Sequence, residues 1–528
     1  MPDERVNPPP EELHARKWPI FLVAMIGLFM AMIDVTIVNI TIPELQRELD
    51  APVDSVSWVL NSYNIAFAVL LVAMGRLADQ FGRRRFYLIG ITIFTAGSLL
   101  CALAPTIDAL VAFRVVQAVG AAILAPLALA TTALVFPPEQ RGLGFALIAM
   151  MGSLAAALGP PLGGIVLEFA SWPWIFAINV PFGIAGAVLA LRLMPESYDL
   201  TAGRKVDWWG LTTLGAAIFA LTFALVEANE RGWGSELIVG LFAGSSLLLG
   251  AFAASQRFGR HPLLVPAISR NRQFMGGSAA MLVFSVGVMG MFFLAVLAFV
   301  DLWGYTELEA ALAISPVALM GIVVSPIVGR NADRVPPRVI AIPALFLMAA
   351  GLFLLGSISR EPDYLGVLPA LLLAGAGIGA MFPAVNVGSM GVITGQEFGA
   401  AAGIVNMSRQ LGFALGVAIL VAVFTAAVDD NLQKAQSQVA SVTQTAQVPA
   451  ERRAQLIEAA TIDRTREDPP SEAPRSGAEL EARGIVGDAW RDAFGSGFRT
   501  AAIFALLSLP FALFLRKRPD QALGAAEV

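Results

Sequence analysis

Gly75–Arg85 reads GRLADQFGRRR, and a degraded copy, GRNADRVPPR, follows 254 residues later at Gly329–Arg338. Each copy comes directly after a long apolar run, so the two mark equivalent points in a chain built twice. A second pair agrees: EQRGLGFALIAMMGSLAAALG (Glu139–Gly159) is echoed by QEFGAAAGIVNMSRQLGFALG (Gln396–Gly416), 257 residues on. Two parallel halves related by an axis along the membrane normal are a common plan for secondary transporters, with the substrate site between the halves.

Composition points the same way. Of 528 residues, 57% are hydrophobic and 14% charged, too apolar for an ordinary soluble domain. Many runs exceed the 18 or so residues needed to cross a bilayer as helix. Fourteen such runs lie near 19–42, 56–74, 86–104, 109–135, 143–168, 173–194, 207–227, 236–254, 274–300, 309–328, 339–357, 364–384, 398–426 and 498–515. The expected fold is an all-α polytopic membrane protein. A six-helix bundle over 19–194 and a second over 274–515 flank two additional helices at 207–254.

Basic residues set the orientation. With the N-terminus inside, the segments on that side carry twenty Lys and Arg, against Arg47, Arg231 and Arg360 in the short loops opposite. Both termini are therefore expected in the cytoplasm, residues 1–18 and 516–528 forming tails. The polar stretch 427–497 falls outside and is expected to be largely flexible, with EDPPSEAPRSG as its least ordered part. The net charge of −5 says little about partners. Cys101 is the lone cysteine, and the histidines, His14 and His261, fall in cytoplasmic segments. No disulfide, histidine-based metal site, nucleotide loop or catalytic pair is expected.

Against that background the quoted loop becomes specific. Gly75, Asp79, Gly82, Arg83 and Arg84 stand at the spacing of the signature loop that follows the second helix in the major facilitator superfamily, which this segment resembles. The resemblance implies a latch that shuts the cytoplasmic side, with Asp79 accepting from N–H groups at the start of the helix near Phe398. LGPPLGGIVLE (158–168) resembles that superfamily's antiporter motif, found in exporters. Gly152, Gly159, Pro160, Gly163 and Gly164 would bare one face for close helix packing. IDVTIVNITIP (33–43), SWVLNSYNIAFA (57–68) and Arg114-x-x-Gln117 are similar to the drug:proton antiporter family with fourteen helices. The resemblance implies no enzyme and no cofactor, but proton-driven export of amphipathic or lipophilic compounds across the cytoplasmic membrane, or of a dedicated lipid, siderophore or metabolite. It also implies a monomer in the bilayer, no nucleic-acid partner, and leaves any periplasmic partner open.

Three intramembrane charges carry the chemistry. Asp34 lies roughly 12 Å deep in the first helix at 1.5 Å per residue, where a lone carboxylate costs about 2.5–3.5 kcal/mol. Arg114 enters the fourth helix at comparable depth, so the two can support each other directly or through Gln117. Protonation of Asp34 would neutralise the cavity and let the carrier change face. Glu227 is nearer a helix end and expected at the interface. Arg409, in the thirteenth helix, has no carboxylate at matching depth in its half, and a cargo or gating contact and a structural bond to backbone carbonyls both stay open. An adaptable apolar cavity lined by Met30, Phe67, Met289, Phe292 and Phe293 is expected, with Asn61, Asn406 and Arg409 supplying polarity.

Overall fold

Hydrocarbon offers backbone groups no water, so an apolar run of this length is stable only as helix. The structure, a computed structural model, describes residues 7–49, 51, 53–198, 207–258, 268, 270–332, 334–358, 362–393, 398–446 and 477–516. Among them regular structure is entirely helical, and thirteen helices are long and apolar enough to cross a membrane.

Each of the expected runs overlaps a helix, with bounds that differ: the first gives way to a 3-10 turn at Val38–Thr41 and the last is helical to Leu507 and again over Leu509–Ala512. The first group comprises α1 (Lys17–Ile37), α2 (Val53–Phe81), α3 (Arg83–Ala102), α4 (Ile107–Val135), α5 (Arg141–Phe169) and α6 (Asn179–Leu193). Then come α7 (Trp208–Arg231) and α8 (Glu236–Phe258). The last group is α9 (Arg272–Asp301), α10 (Glu307–Ala332), α11 (Pro337–Leu355), α12 (Tyr364–Met390), α13 (Phe398–Thr445) and α14 (Gly477–Leu507). Side-chain caps start several of them. Asp207 accepts from Gly210 N at 2.8 Å, Asn271 from Gln273 N at 2.9 Å, and Asp363 from Gly366 N at 3.0 Å. Thr306 and Glu309 bond reciprocally, forming a capping box at the start of α10.

Without a hydrophobic drive between helices in lipid, close packing of small residues holds them. A Cβ on Gly120 of α4 would lie 2.7 Å from the Gly90 carbonyl of α3, and one on Gly351 of α11 2.6 Å from Ala374 N of α12. The pairs α3–α4 and α11–α12 are thus sealed by the same device. The two groups meet along α5–α10 and α2–α13. At the end bearing Asp79 both seams are shut: Gly329 packs on the Gly142 carbonyl, 2.7 Å from its Cβ position, and Gly403 on Val72 Cα at 2.9 Å. Helix α7 rests on α2 and α13, with Trp58 and Phe223 ring centroids 5.6 Å apart, and α8 packs on α7.

The expectation of flexibility over 427–497 meets helix instead. Within 427–497, α13 continues to Thr445 and α14 begins at Gly477. Phe424, Val428, Leu432, Ala435 and Val439 recur at helical spacing and are buried, most of them against α14. Rings of Phe424 and Phe494 lie 4.6 Å apart, and Asn431 donates to the Ala489 carbonyl at 3.2 Å. Apolar content too low for a bilayer is enough for a two-helix seam. The expectation for the EDPPSEAPRSG stretch lies outside the described residues. In the N-terminal tail, Pro10–Ala15 is helical because Leu13, 3% exposed, is buried in the core.

Candidate functional site

Asp34, Arg114 and Gln117 meet inside the first helix group. Arg114 Nη1 forms an ion pair with Asp34 Oδ2 and donates to Gln117 Oε1 at 2.7 Å. Gln117 Nε2 donates to Asp34 Oδ1 at 2.8 Å and to Ser98 Oγ at 2.7 Å. Arg114 Nε donates to the Val59 carbonyl at 3.0 Å, and its guanidinium lies 4.1 Å from the centre of the Tyr63 ring. Tyr63 in turn donates to the Ala31 carbonyl at 3.2 Å. All of Asp34, Arg114, Gln117 and Ser98 are 0–1% exposed. The charges repay their desolvation because both carboxylate oxygens and three guanidinium contacts are satisfied.

The helix spacing that makes this possible is local. Arg114 and Gln117 stand three apart on α4 and so share a face. Gly97 of α3 lets that face approach, since a Cβ there would lie 2.7 Å from Gln117 Cα. Ser98, Tyr63 and the Val59 carbonyl were not anticipated; only their depth on neighbouring helices could have hinted at them.

A separate cavity lies between the groups. Leu28 and Met32 of α1, Ala125 and Leu129 of α4, and Ile148 of α5 form one wall, apolar throughout. Met281 of α9, Asn386 of α12, and Val405, Asn406 and Arg409 of α13 form the other. Asp34 is absent from this lining and fully buried elsewhere, so its protonation does not neutralise the cavity directly. Of the expected lining, Asn406 and Arg409 are present. Met30 and Phe67 are instead packed in the core, Phe67 stacked on Tyr63 at 5.9 Å. Asn61, Met289, Phe292 and Phe293 are partly buried and also lie outside the lining. Helix α9 is apolar on every side, so its sequence does not say which face turns inward.

The Gly/Arg loop forms a compact joint. Gly82, at φ +110°, breaks α2 from α3, and Arg83 bonds Asp79 Oδ1 through Nε at 2.9 Å and Nη2 at 2.7 Å. Asp79 and Arg83 are 0% and 1% exposed, while Gly75 is buried in α2. Glu196, beyond α6, supplies an unanticipated carboxylate. It accepts from Arg84 N at 2.9 Å and Arg85 N at 3.2 Å, at the positive end of α3. Arg83 N donates to the Ser197 carbonyl at 2.9 Å, Arg84 Nη2 to the Leu191 carbonyl at 3.0 Å, and Asn7 pairs reciprocally with the Tyr198 backbone. The N–H groups at the start of α13 were expected to face Asp79; residues 394–397, which lead into that helix, lie outside the described residues, as do the side chains of 398–400.

The glycines of α5 face two neighbours. A Cβ on Gly152 would meet Met32 at 3.4 Å and Gly159 packs on Thr36, both on α1, and Thr36 Oγ1 donates to the Ala155 carbonyl at 3.1 Å. A Cβ on Gly164 would touch Leu308 of α10 at 3.4 Å. Gly163 is buried, and the Pro160 backbone continues the helix. Glu227, expected at an interface, is 4% exposed and paired with Arg231. Among the described residues no three His, Cys, Asp or Glu gather as a metal would require.

Residues 24–417 match the Major Facilitator Superfamily. A probable actinorhodin transporter of Streptomyces coelicolor is 31% identical, over 97% of this chain and 93% of its own. The puromycin resistance protein pur8 of Streptomyces alboniger is 37% identical over 78% of this chain and 82% of its own. Among solved structures, a double-Trp mutant of XylE superposes with a TM-score of 0.61 at 15% identity, over 94% of this chain and 95% of its own.

Proposed function

Because this chain belongs to the Major Facilitator Superfamily, a multi-pass membrane transporter fold that carries small molecules, we propose that it exports amphipathic compounds across the cytoplasmic membrane in exchange for protons. The observation that carries this reading is the placement of Asp34 and Arg114. They sit on α1 and α4, the helices whose Leu28, Met32, Ala125 and Leu129 form the apolar wall of the cavity. Protonating Asp34 removes the charge that Arg114 and Gln117 hold, freeing α1 to shift against α4 and reshape that wall. Coupling thus runs through a helix contact, with no proton entering the cargo space. The Asp79–Arg83 joint closes the cytoplasmic end while the proton loads from outside. No cofactor takes part; the gradient drives the cycle. The relatives named for resistance to, or transport of, antibiotics support a drug-like cargo, and a dedicated metabolite exporter is the second reading, favoured by the near full-length match to the actinorhodin protein. Basic residues at the Gly/Arg-loop end support cytoplasmic termini.

Everted vesicles test the proposal. An imposed pH gradient should drive uphill uptake of amphipathic dyes that a protonophore collapses and ATP does not restore. Uptake indifferent to the protonophore would refute proton exchange.

A further inference from the structure

Arg409 is the one charge that lines the cavity among the described residues. Its Nη2 donates to Asn406 Oδ1 at 2.8 Å, yet its Nε, fully enclosed, has no partner. The same lining holds the apolar side chains of Leu28, Met32 and Leu129, of which only the Met32 thioether can accept a hydrogen bond, and weakly. Asn386 Oδ1, an acceptor on α12 lining the same cavity, is also enclosed and unsatisfied. A guanidinium within a membrane span is costly unless paired. The contrast with Arg114 is plain: there Nε and Nη1 are both engaged by protein, whereas here a donor and an acceptor both await a group.

Building on the export reading, we infer that this cavity, about 10 Å³ as it stands, widens as the two groups part and then takes cargo bearing an oxygen acid, a carboxyl, phenol or enol, on an apolar body. The ionised oxygen accepts from Arg409, and an adjacent hydroxyl donates to Asn386 Oδ1. The apolar body lies on the wall of Leu28, Met32 and Leu129. A cationic cargo finds no carboxylate in this lining and meets a like charge, so the site discriminates by the sign of charge.

Two xanthene dyes of similar size, anionic fluorescein and cationic rhodamine 6G, test this with purified full-length protein. Binding is read by fluorescence anisotropy without any gradient, so a failure of proton coupling leaves the measurement untouched. The wild type should prefer fluorescein. Arg409→Gln should move the fluorescein-to-rhodamine preference at least about tenfold toward rhodamine, the worth of one buried charge-assisted hydrogen bond. Arg409→Lys should keep most of the preference and guards against a Gln variant that fails to fold. Preference of the wild type for rhodamine 6G, binding of neither dye, or equal loss of both in Arg409→Gln would overturn the inference. Intact dye selectivity with no response to a pH gradient would instead count against the coupling reading alone.

Discussion

Gln117 holds Asp34 by the oxygen that Arg114 leaves free: its Nε2 lies 2.8 Å from Asp34 Oδ1, while the guanidinium takes Oδ2. The carboxylate is therefore gripped from both sides, and its proton exchange must break two contacts. Gln117→Leu strands Oδ1 and removes the Ser98 partner, costing about 1–3 kcal/mol of stability. A lowered thermal midpoint in detergent, with the helix content unchanged, is the expected result.

The ion pair itself separates stability from coupling. Arg114→Ala leaves a buried carboxylate alone and should destabilise by about 3–5 kcal/mol. The double variant Asp34→Asn, Arg114→Gln removes both charges, keeps the shape at residue 34 and leaves amides that can still hydrogen-bond, and should recover part of that loss. It should still fail to accumulate dye against a gradient while allowing downhill exchange. Full uphill transport by the double variant would move proton coupling to another group.

At the Gly/Arg joint, the strongest local test is Gly82→Ala. The backbone there has φ +110°, and the new methyl would come within 2.8 Å of the Glu196 carboxylate. A non-glycine residue in such a conformation costs about 1–3 kcal/mol. Cysteines placed along the half of α2 that bears Asp79 should become more reactive to a membrane-impermeant maleimide added from that side. Asp79→Asn should raise the same reactivity and lower transport with expression intact.

How far the sequence reaches is clear from particular residues. The depth of Asp34 and Arg114 follows from helical rise alone, so their meeting could be anticipated. Apolar runs locate the helices because hydrocarbon forces the backbone to bond within each segment. Two kinds of information are missing. Helix α13 outruns its apolar reading of 398–426 because α14 replaces the bilayer as partner at Val428 and Leu432. Met289, Phe292 and Phe293 sit on a helix with no polar face, so nothing in its pattern points them away from the cavity. Glu196 meets α3 only through the return of the chain after α6, a contact that no local spacing encodes.

The paired extensions of α13 and α14 make a further prediction. Val439 and Ala482 are 0% and 1% exposed against each other's helix, so Val439→Asp should separate the two extensions and raise protease cleavage there. Lys434→Ala removes an exposed pair with Asp430, 2.5 Å apart, and should change stability by less than about 1 kcal/mol. Replacing 435–485 with a flexible linker should leave dye export intact. Lost export at normal expression would assign the segment a part in the cycle.

The unbroken course of α13 has a mechanical consequence. From Arg409 to Thr445 the helix path is roughly 54 Å at 1.5 Å per residue, so the cavity floor and the far tip belong to one lever. A tilt of about 10° at the cavity, carried by that rise, swings the tip by roughly 9 Å. A fluorophore at Ser441, exposed on the helix, would then serve as an indicator needle, showing at the tip any tilt that begins at the cavity.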